Sequence, residues 1–447
     1  MKRRDFLKST TGIALAAGLL KPAELLAGSE DKTGTGALIT SAPMLQNWAE
    51  TSIGVAFAVS DKANGYVLIG EKEDLSDARK VKCGGFRVTD VNDRVMLVRV
   101  TGLKPATRYY YRIGADRISY QSGYKMAIAG NEEDPRTYSF VTAGKDARAH
   151  FCVINDTHAR MDTFGLVTEK IAALGPSCVI WNGDATNSQE TIESQMEIFL
   201  TPDIARKDYA AETPYILCPG NHDVRGWAGR HLEKVWMYRQ PEERQSRDWD
   251  LGRNFAVRMG DVALVGLDTA EDKLGTNPRF AGIFNSGPYR EAQTEWLRDV
   301  LHREEIATAP FLVAFCHIPL LDDDPRANPG DVAPADSDPQ YNTDFAMWQR
   351  TCARMWGPLL EEAGCQLVVT AHQHLYRYYD PEPGRCWAQI VGGSPDLGFR
   401  GKGANRVADT NRYPTVIDGE IKAGKLRIVV YNMLTGGVQD CFSFGPR

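Results

Sequence analysis

The residue order predicts an α/β protein in two parts, an N-terminal all-β sandwich followed by a layered α/β domain. Three observations carry this. From Ala37 to Ala143 apolar residues recur at period two, and no helical period of any length intervenes. From His150 onward short apolar runs alternate with stretches of helical spacing. Five short polar strings each follow one of those apolar runs.

Residues 1–27 read as an address. Lys2, Arg3, Arg4, Asp5, Phe6, Leu7 and Lys8 form a charged start with adjacent arginines, Ser9 to Leu20 is weakly apolar, and Lys21 and Pro22 close it. Leu25-Leu26-Ala27 then offers a small residue for cleavage. The RRDFLK string resembles a twin-arginine signal peptide. It predicts recognition by the twin-arginine export machinery and a periplasmic or secreted protein, exported folded. Removing these residues, five basic and two acidic, takes the formal net charge from −6 to −9. Such acidity argues against binding a nucleic-acid polymer by bulk charge, while leaving room for a local basic pocket. No apolar run approaches the about 20 residues of a membrane-spanning helix.

Residues 28–36 are polar and glycine-rich and read as a linker. Residues 37–146 hold the expected sandwich. Ile53, Val55, Phe57 and Val59 alternate, Tyr66 to Ile69 is a second run, Val95 to Val100 a third, Tyr109 to Ile113 a fourth and Tyr138 to Val141 a fifth. The stretch Gly102 to Tyr110 resembles the corner before a late strand of fibronectin type III domains. Its tyrosines are read as core and corner packing.

Residues 147–447 form the expected α/β domain. Phe151 to Ile154 is a strand; Phe164, Val167, Ile171 and Leu174 then recur at helical spacing behind an expected N-cap at Asp162. Further strands are expected at Val179 to Trp181, Tyr215 to Cys218, Val262 to Leu267, Phe311 to Cys316 and Leu367 to Thr370. Helices are expected from Tyr289 to Arg303 and from Trp348 to Ala363, and the tail from Ala388 returns to strands such as Leu426 to Tyr431. Arg225 to Arg253 and Leu321 to Thr343 read as long surface loops, and such loops are often lids. Of the nine cysteines, Cys152, Cys178, Cys218 and Cys316 sit in strand-like runs and read as core. Cys352, Cys365, Cys386 and Cys441 lie closer together and could pair after export.

The five strings are Asp156-Thr157-His158, Gly183-Asp184-Ala185-Thr186-Asn187, Gly220-Asn221-His222-Asp223, His317-Ile318-Pro319 and His372-Gln373-His374. Five of the eight histidines lie in them. Ligands of α/β sheets gather outside the carboxyl ends of strands, so all five strings should meet at one edge. A single strand-end histidine is commonly structural; five such strings in order make a joint signal. Carboxylate, imidazole and amide without thiolate suit zinc, iron or manganese, and the number of groups suffices for two ions. A carboxylate can bridge two ions about 3.5–4 Å apart, the geometry of in-line displacement at phosphorus.

In this order the strings resemble the calcineurin-like metallophosphoesterase family, and the β region before them resembles the N-terminal domain of purple acid phosphatases. The resemblance implies a four-layer α/β/β/α catalytic domain. It also implies two divalent or trivalent transition-metal ions, one held by Asp156, His158 and His374, the other by Asn221, His317 and His372, with Asp184 bridging. A hydroxide between the ions would attack phosphorus. His222 would protonate the leaving oxygen or stabilise the transition state, Asp223 would orient or support that turn, and Asn221, His222 and Arg225 would face the substrate. For Arg225 a solvated position in the loop is an equal alternative.

Departures from the family pattern matter. Purple acid phosphatases carry a tyrosine three residues after the bridging aspartate, where this chain has Asn187, and a glycine where it has His158. The tyrosinate of a purple iron site is therefore not expected, and His158 would supply a ligand instead. Protein phosphatases carry an aspartate at the Asn187 position; Asn187 could accept a hydrogen bond from His222. Ala371 replaces the usual glycine before the last two histidines and has less backbone freedom. The expected activity is hydrolysis of small phosphomonoesters. A phosphodiesterase acting on nucleotides or glycerophosphodiesters is the alternative, and a binding protein with a relic site is a third reading. Trp227, Trp236 and Trp249 could stack on a base or anchor their loop, and Asp322 to Asp324 would repel polyanions if they face the site.

Overall fold

Apolar runs in this chain are buried on both faces of their sheets, and that sets the layering. The structure is a computed structural model and describes residues 36–83, 91–238, 249–273, 286–321, 344–397 and 411–447. The expected leader at 1–27, the linker up to residue 35, residues 239–248 of the first expected loop and 322–343 of the second lie outside the described residues.

The first part is strands alone: β1 (Met44–Gln46), β2 (Ser52–Ala58), β3 (Ala63–Gly70), β4 (Arg79–Lys82), β5 (Val95–Thr101), β6 (Arg108–Ser122), β7 (Lys125–Glu133) and β8 (Tyr138–Val141). Strands and helices then alternate: β9 (His150–Ile154), α1 (Met161–Leu174), β10 (Cys178–Asn182), α2 (Ile192–Phe199), β11 (Tyr215–Cys218), β12 (Phe255–Met259), β13 (Val262–Leu267), α3 (Ser286–Leu301), α4 (Glu304–Ala307), β14 (Phe311–Cys316), α5 (Asp344–Glu362) and β15 (Leu367–Thr370). The tail adds β16 (Arg377–Tyr379), β17 (Ala388–Val391), β18 (Thr415–Lys422), β19 (Lys425–Asn432) and β20 (Val438–Phe444).

A nine-stranded sheet runs β20-β19-β18-β9-β10-β11-β1-β2-β5, and a six-stranded sheet runs β12-β13-β14-β15-β17-β16. Their centres are parallel, β9–β10–β11 in one and β13–β14–β15–β17 in the other. The two sheets face each other. Phe151 and Val153 of β9 point into the shared core with Phe315, Val262 and Leu264, and the Phe151 and Phe315 rings meet edge to face at 6.1 Å. On its outer face β9 turns Cys152 and Ile154 toward Phe164, Val167 and Ile171 of α1. The six-stranded sheet turns Ala263, Val265 and Leu267 toward Trp296 of α3 and Trp356 of α5. Helix, sheet, sheet, helix is the expected four-layer order. Because both faces of each parallel strand are covered, the runs read as continuously apolar.

The N-terminal strands divide between two sheets. β3, β4, β6, β7 and β8 form one of their own, while β1, β2 and β5 extend the nine-stranded sheet through a parallel pair of Gln46 with Tyr215. The Tyr111 hydroxyl donates to the buried Ala211 carbonyl at 2.6 Å, a second tie between the two parts of the chain. Tyr109 and Tyr111 are core residues, and the Tyr109 hydroxyl accepts from Lys104 N–H at 3.0 Å, closing the expected corner.

Three sequence expectations need correction. The N-cap of α1 is Arg160, which makes no side-chain cap bond; Asp162 lies inside the first turn, where it accepts from Thr163 N–H at 2.9 Å and suits the helix dipole. β6 does not end at Ile113 but runs to Ser122 and turns back as β7, whose residues are largely exposed; cross-strand pairing, not burial, makes this hairpin, so it has no apolar alternation. None of the cysteines is paired. Cys352 and Cys365 are buried against the outer face of the six-stranded sheet, whereas Cys441 sits on the edge strand of the other sheet.

Candidate metal centre

All five strings lie at carboxyl ends of parallel strands, and both sheets bring those ends to one edge. β9 delivers Asp156 and His158, β10 Asp184, β11 Asn221 and His222, β14 His317, and β15 His372 and His374. The turns are zipped together by backbone bonds: Asp156 N–H to Gly183 O at 3.0 Å, His158 N–H to Asp184 O at 2.9 Å, and Ala371 N–H to His317 O at 2.9 Å. Below them the Asn182 amide donates to Cys316 O at 3.3 Å and Val369 O at 3.0 Å, tying one sheet to the other under the site.

Such tight convergence strains the backbone. Asp156, His158, Asp184, His372 and His374 all have left-handed φ, between 46° and 71°. For residues other than glycine this region costs of order 1–3 kcal/mol each and survives where the surroundings impose it. Ala371 is not among the left-handed residues, so replacement of the family's glycine there costs no such strain. Gly183 and Gly220 are different: a Cβ on Gly183 would stand 2.2 Å from His317 Nδ1, and one on Gly220 would stand 2.3 Å from Asp184 Oδ1.

The side chains form two groups that share one residue. Asp156, His158, Asp184 and His374 converge in the first, and Asp184, His317 and His372 in the second. Asn221 joins the second through its Oδ1, 2.9 Å from His372 Nδ1. Asp156 Oδ1 lies 3.3 Å from His374 Nε2, 3.6 Å from His158 Nε2 and 3.9 Å from His317 Nε2, yet it is buried without a hydrogen-bond partner. His317 Nε2 is likewise buried and unsatisfied, 3.1 Å from Asp184 Oδ2; its Nδ1 is turned to the Asn182 carbonyl at 3.0 Å. Neighbouring ligands of an ion bonded at about 2.0–2.1 Å stand about 3.0–3.4 Å apart, so these contacts suit atoms arranged around a cation. The donor set and its orphaned atoms fit metal ions.

Electrostatics point the same way. Burial opposes ionisation of Asp184, but the surrounding imidazoles outweigh it and hold the carboxyl down to about 2. They also hold Asp156 well below the ordinary carboxylate range against burial. Burial opposes charging His317 too, yet Asp184 and Asp156 draw it up to about 10. His372, half-buried, is pushed down to about 4 by desolvation and by His317 beside it. The carboxylates thus demand positive charge at their centre, and a metal ion meets that demand in place of a proton.

Around this centre stands a second set of groups. The backbone N–H of His222 donates to Asp184 Oδ1 at 2.8 Å. Its Nδ1 donates to the backbone carbonyl of Asn187 at 2.9 Å, the expected residue by an unexpected atom. That leaves Nε2 as acceptor, and Arg225 Nη1 donates to it at 2.9 Å. Burial, with Arg225 beside it, lowers the His222 pKa. Arg225 is therefore not a solvated loop residue. Its Nε and Nη2 donate to the two oxygens of Glu271 at 2.9 and 2.5 Å, and Nη2 also to Asp272 at 2.7 Å. Asp223 is fully buried, and both its oxygens accept backbone amides, from Gly220 and Thr186, each at 2.9 Å. It braces the turns at Gly220 and Thr186 through these amides, an arrangement that suits the orienting role the sequence suggested for it.

Asn155, Asn182, Glu271 and Asp272 were not singled out in the sequence. Asn155 Nδ2 donates to Asp156 Oδ2 at 2.8 Å. The available signal was position: each follows or ends a strand-like run, and Glu271 and Asp272 follow β13 as the five strings follow theirs. Of the three tryptophans, Trp236 is buried, Trp249 packs on Tyr289, and Trp227 is 68% exposed, with Arg230 over its ring at 3.3 Å. A further cluster, His150, Cys152 and Asp418, lies toward the opposite end of β9. There His150 Nε2 and Asp418 are hydrogen-bonded at 2.7 Å, a buried structural pair.

The family model for calcineurin-like phosphoesterases matches residues 149–376. No curated protein matches the chain. Among solved structures it is similar to purple acid phosphatase PPD1 from yellow lupin (Lupinus luteus) seeds, with 14% identity and a TM-score of 0.60 over 90% of this chain and 74% of that one. It is also similar to PhoD, with 13% identity and a TM-score of 0.59 over 92% of this chain and 94% of that one. At these identities the likeness is one of fold.

Proposed function

Because the chain belongs to the calcineurin-like phosphoesterase family and is a hydrolase acting on phosphoric esters, we propose that it cleaves phosphomonoesters at a centre of two transition-metal ions. The observation that carries this reading is that Asp184 belongs to both ligand groups at once. Asp156, His158 and His374 would hold one ion, Asn221, His317 and His372 the other, and Asp184 both. When bound, such ions supply Lewis acidity toward phosphate oxygens and make water a better nucleophile near neutral pH.

The chain's own residues do the rest. His222 stands beside the centre, its ring 4.7 Å from that of His158, and its Nε2, the acceptor atom of the neutral ring, would take up a proton before passing one to the leaving oxygen. Arg225 brings a guanidinium to the same atom and adds positive charge for the dianion of a monoester. Asp223 and Asn187 hold His222 in place through the backbone. A phosphodiesterase is the second reading, favoured by the exposed Trp227 two residues beyond Arg225, which could hold an aromatic ester group.

The leader argues for export in the folded state by the twin-arginine route, and the corner at Tyr109 argues for a fibronectin III-like sandwich in residues 37–146. Replacing Arg3 and Arg4 by lysine should trap the protein in the cytoplasm; unchanged export would sink the route. The function itself is tested on mature protein by elemental analysis together with hydrolysis of an aryl phosphate monoester and its diester. Two ions per chain and a faster monoester reaction are expected. A faster diester reaction would promote the second reading, and absence of both metal and turnover would revive a relic site.

A further inference from the structure

We propose that Glu271 is a positioning residue that holds Arg225 for the phosphoryl group of the substrate, an inference that rests on the phosphoester-hydrolase reading of the same site. Arg225 has five N–H donors. Glu271 takes Nε and Nη2 in a bidentate fork, Asp272 takes Nη2 again, and Nη1 donates to His222 Nε2. The guanidinium is thus clamped on one edge, and the edge offered to a ligand is Nη1, beside the histidine that faces the metal centre. Such a fork fixes the plane of an arginine, which a lysine could not reproduce.

The clamp is built, not incidental. Glu271 is 1% exposed and Asp272 7% exposed, and burying two carboxylates is costly unless each is matched. Lys273 Nζ lies 2.6 Å from both oxygens of Asp272, which leaves Glu271 matched to Arg225. The turn that carries Glu271 is itself fixed. Ala270 has φ of 51°, and its N–H donates to Asp268 Oδ1 at 2.7 Å. From α3, Gln293 donates to the Asp268 carbonyl at 2.5 Å and the fully buried Arg290 donates to the carbonyls of Thr269 and Glu271. The partner loop is equally tied, since Arg225 O accepts from Gln189 N–H at 3.1 Å and Ala228 N–H donates to Gln189 O at 2.8 Å. A strained turn anchored to a helix, aimed at one arginine beside the reacting edge, is the arrangement expected where geometry within a fraction of an ångström matters.

The test uses metal-loaded full-length protein and inorganic phosphate as the probe. In Glu271→Ala the Kd for phosphate by calorimetry and the KM for an aryl phosphate should each rise about 10–100-fold, with kcat changed less and bound metal unchanged. Glu271→Asp, which keeps the charge, should recover part of the loss. Because Glu271 acts through Arg225, its removal should add nothing in an Arg225→Ala background. Unchanged Kd and KM in Glu271→Ala, with an active wild type, would overturn the inference alone. An equal further loss in the Arg225→Ala background would also overturn it, and that comparison stands on Glu271→Asp should Glu271→Ala fail to fold. A wild type that neither binds phosphate nor hydrolyses any ester would overturn the function and this inference together.

Discussion

The backbone N–H of His222 donates to Oδ1 of Asp184 at 2.8 Å. The histidine proposed to handle the leaving group and the carboxylate common to both candidate ligand groups are therefore tied through the His222 main chain, independent of the His222 side chain. This separation makes the two roles experimentally distinct.

Asp184→Asn should lose both ions and turnover together. The amide removes the negative charge that two ligand groups share, and it presents an N–H₂ where a lone pair is needed. Elemental analysis beside an activity assay checks this; two retained ions with full turnover would end the bridging assignment.

His222→Ala should behave in the opposite way. Its backbone bond to Asp184 survives the truncation, so metal content should stay near that of the wild type while kcat falls about 10²–10⁴-fold. Equal rates would remove His222 from the mechanism.

Asp223→Ala should act through the scaffold. Burial and the nearby Asp184 push this carboxyl up to about 6, and its oxygens close the turns at Gly220 and Thr186. Leaving two buried amides unpaired should lower stability by about 1–3 kcal/mol each, seen as an earlier urea midpoint, with weaker metal retention as a consequence. A midpoint identical to wild type would show that the turns hold without it.

Trp227→Ala should separate substrate classes. Trp227 is exposed on a loop whose backbone is tied to Gln189 and, through Trp227 N–H, to Glu190 at 3.1 Å. Loss of the ring should raise KM for aromatic or nucleoside phosphates roughly tenfold and leave alkyl phosphates unaffected. The same change for both classes would assign the ring to the surface alone.

A pH-dependent prediction concerns the N-terminal strands. Burial opposes ionisation of Asp134, but bonds from Arg136 and from the Tyr138 hydroxyl, the latter at 3.0 Å, hold its pKa below the ordinary value. A depressed carboxyl contributes stability above its unfolded pKa and loses it as pH falls through the folded one. Asp134→Asn should thus be less stable than wild type at pH 7 by about 1–2 kcal/mol, and the gap should close as pH falls below about 4. Thermal unfolding across that range checks the sign; a constant gap would refute it.

Much of this site was legible in one dimension because metal ligation needs particular atoms. Asp156, His158, Asp184, Asn221, His317, His372 and His374 each sit one to four residues past an apolar run, and the parallel sheets carry all of them to one edge. What stayed hidden is chemistry done by common residue types in second place. Glu271 and Asp272 also follow a strand, but an acidic pair in a loop is ordinary until an arginine is found in its fork. Asp223 could be read as a support for its turn, but adjacency to His222 does not reveal that the amides it accepts are those of Gly220 and Thr186.

The residue pattern alone carried the passage from strands to alternating strands and helices and the five polar strings behind apolar runs, because the period of a pattern is a local property, while the four-layer order and the ligand set are what the family resemblance implied. The folded chain alone places β1, β2 and β5 in the nine-stranded sheet, since Gln46 pairs with Tyr215 by backbone bonds that carry no side-chain signature. It also clamps Arg225 between Glu271 and His222. Hydrogen bonds between segments distant in the chain depend on which strand ends become neighbours, and no local pattern encodes that.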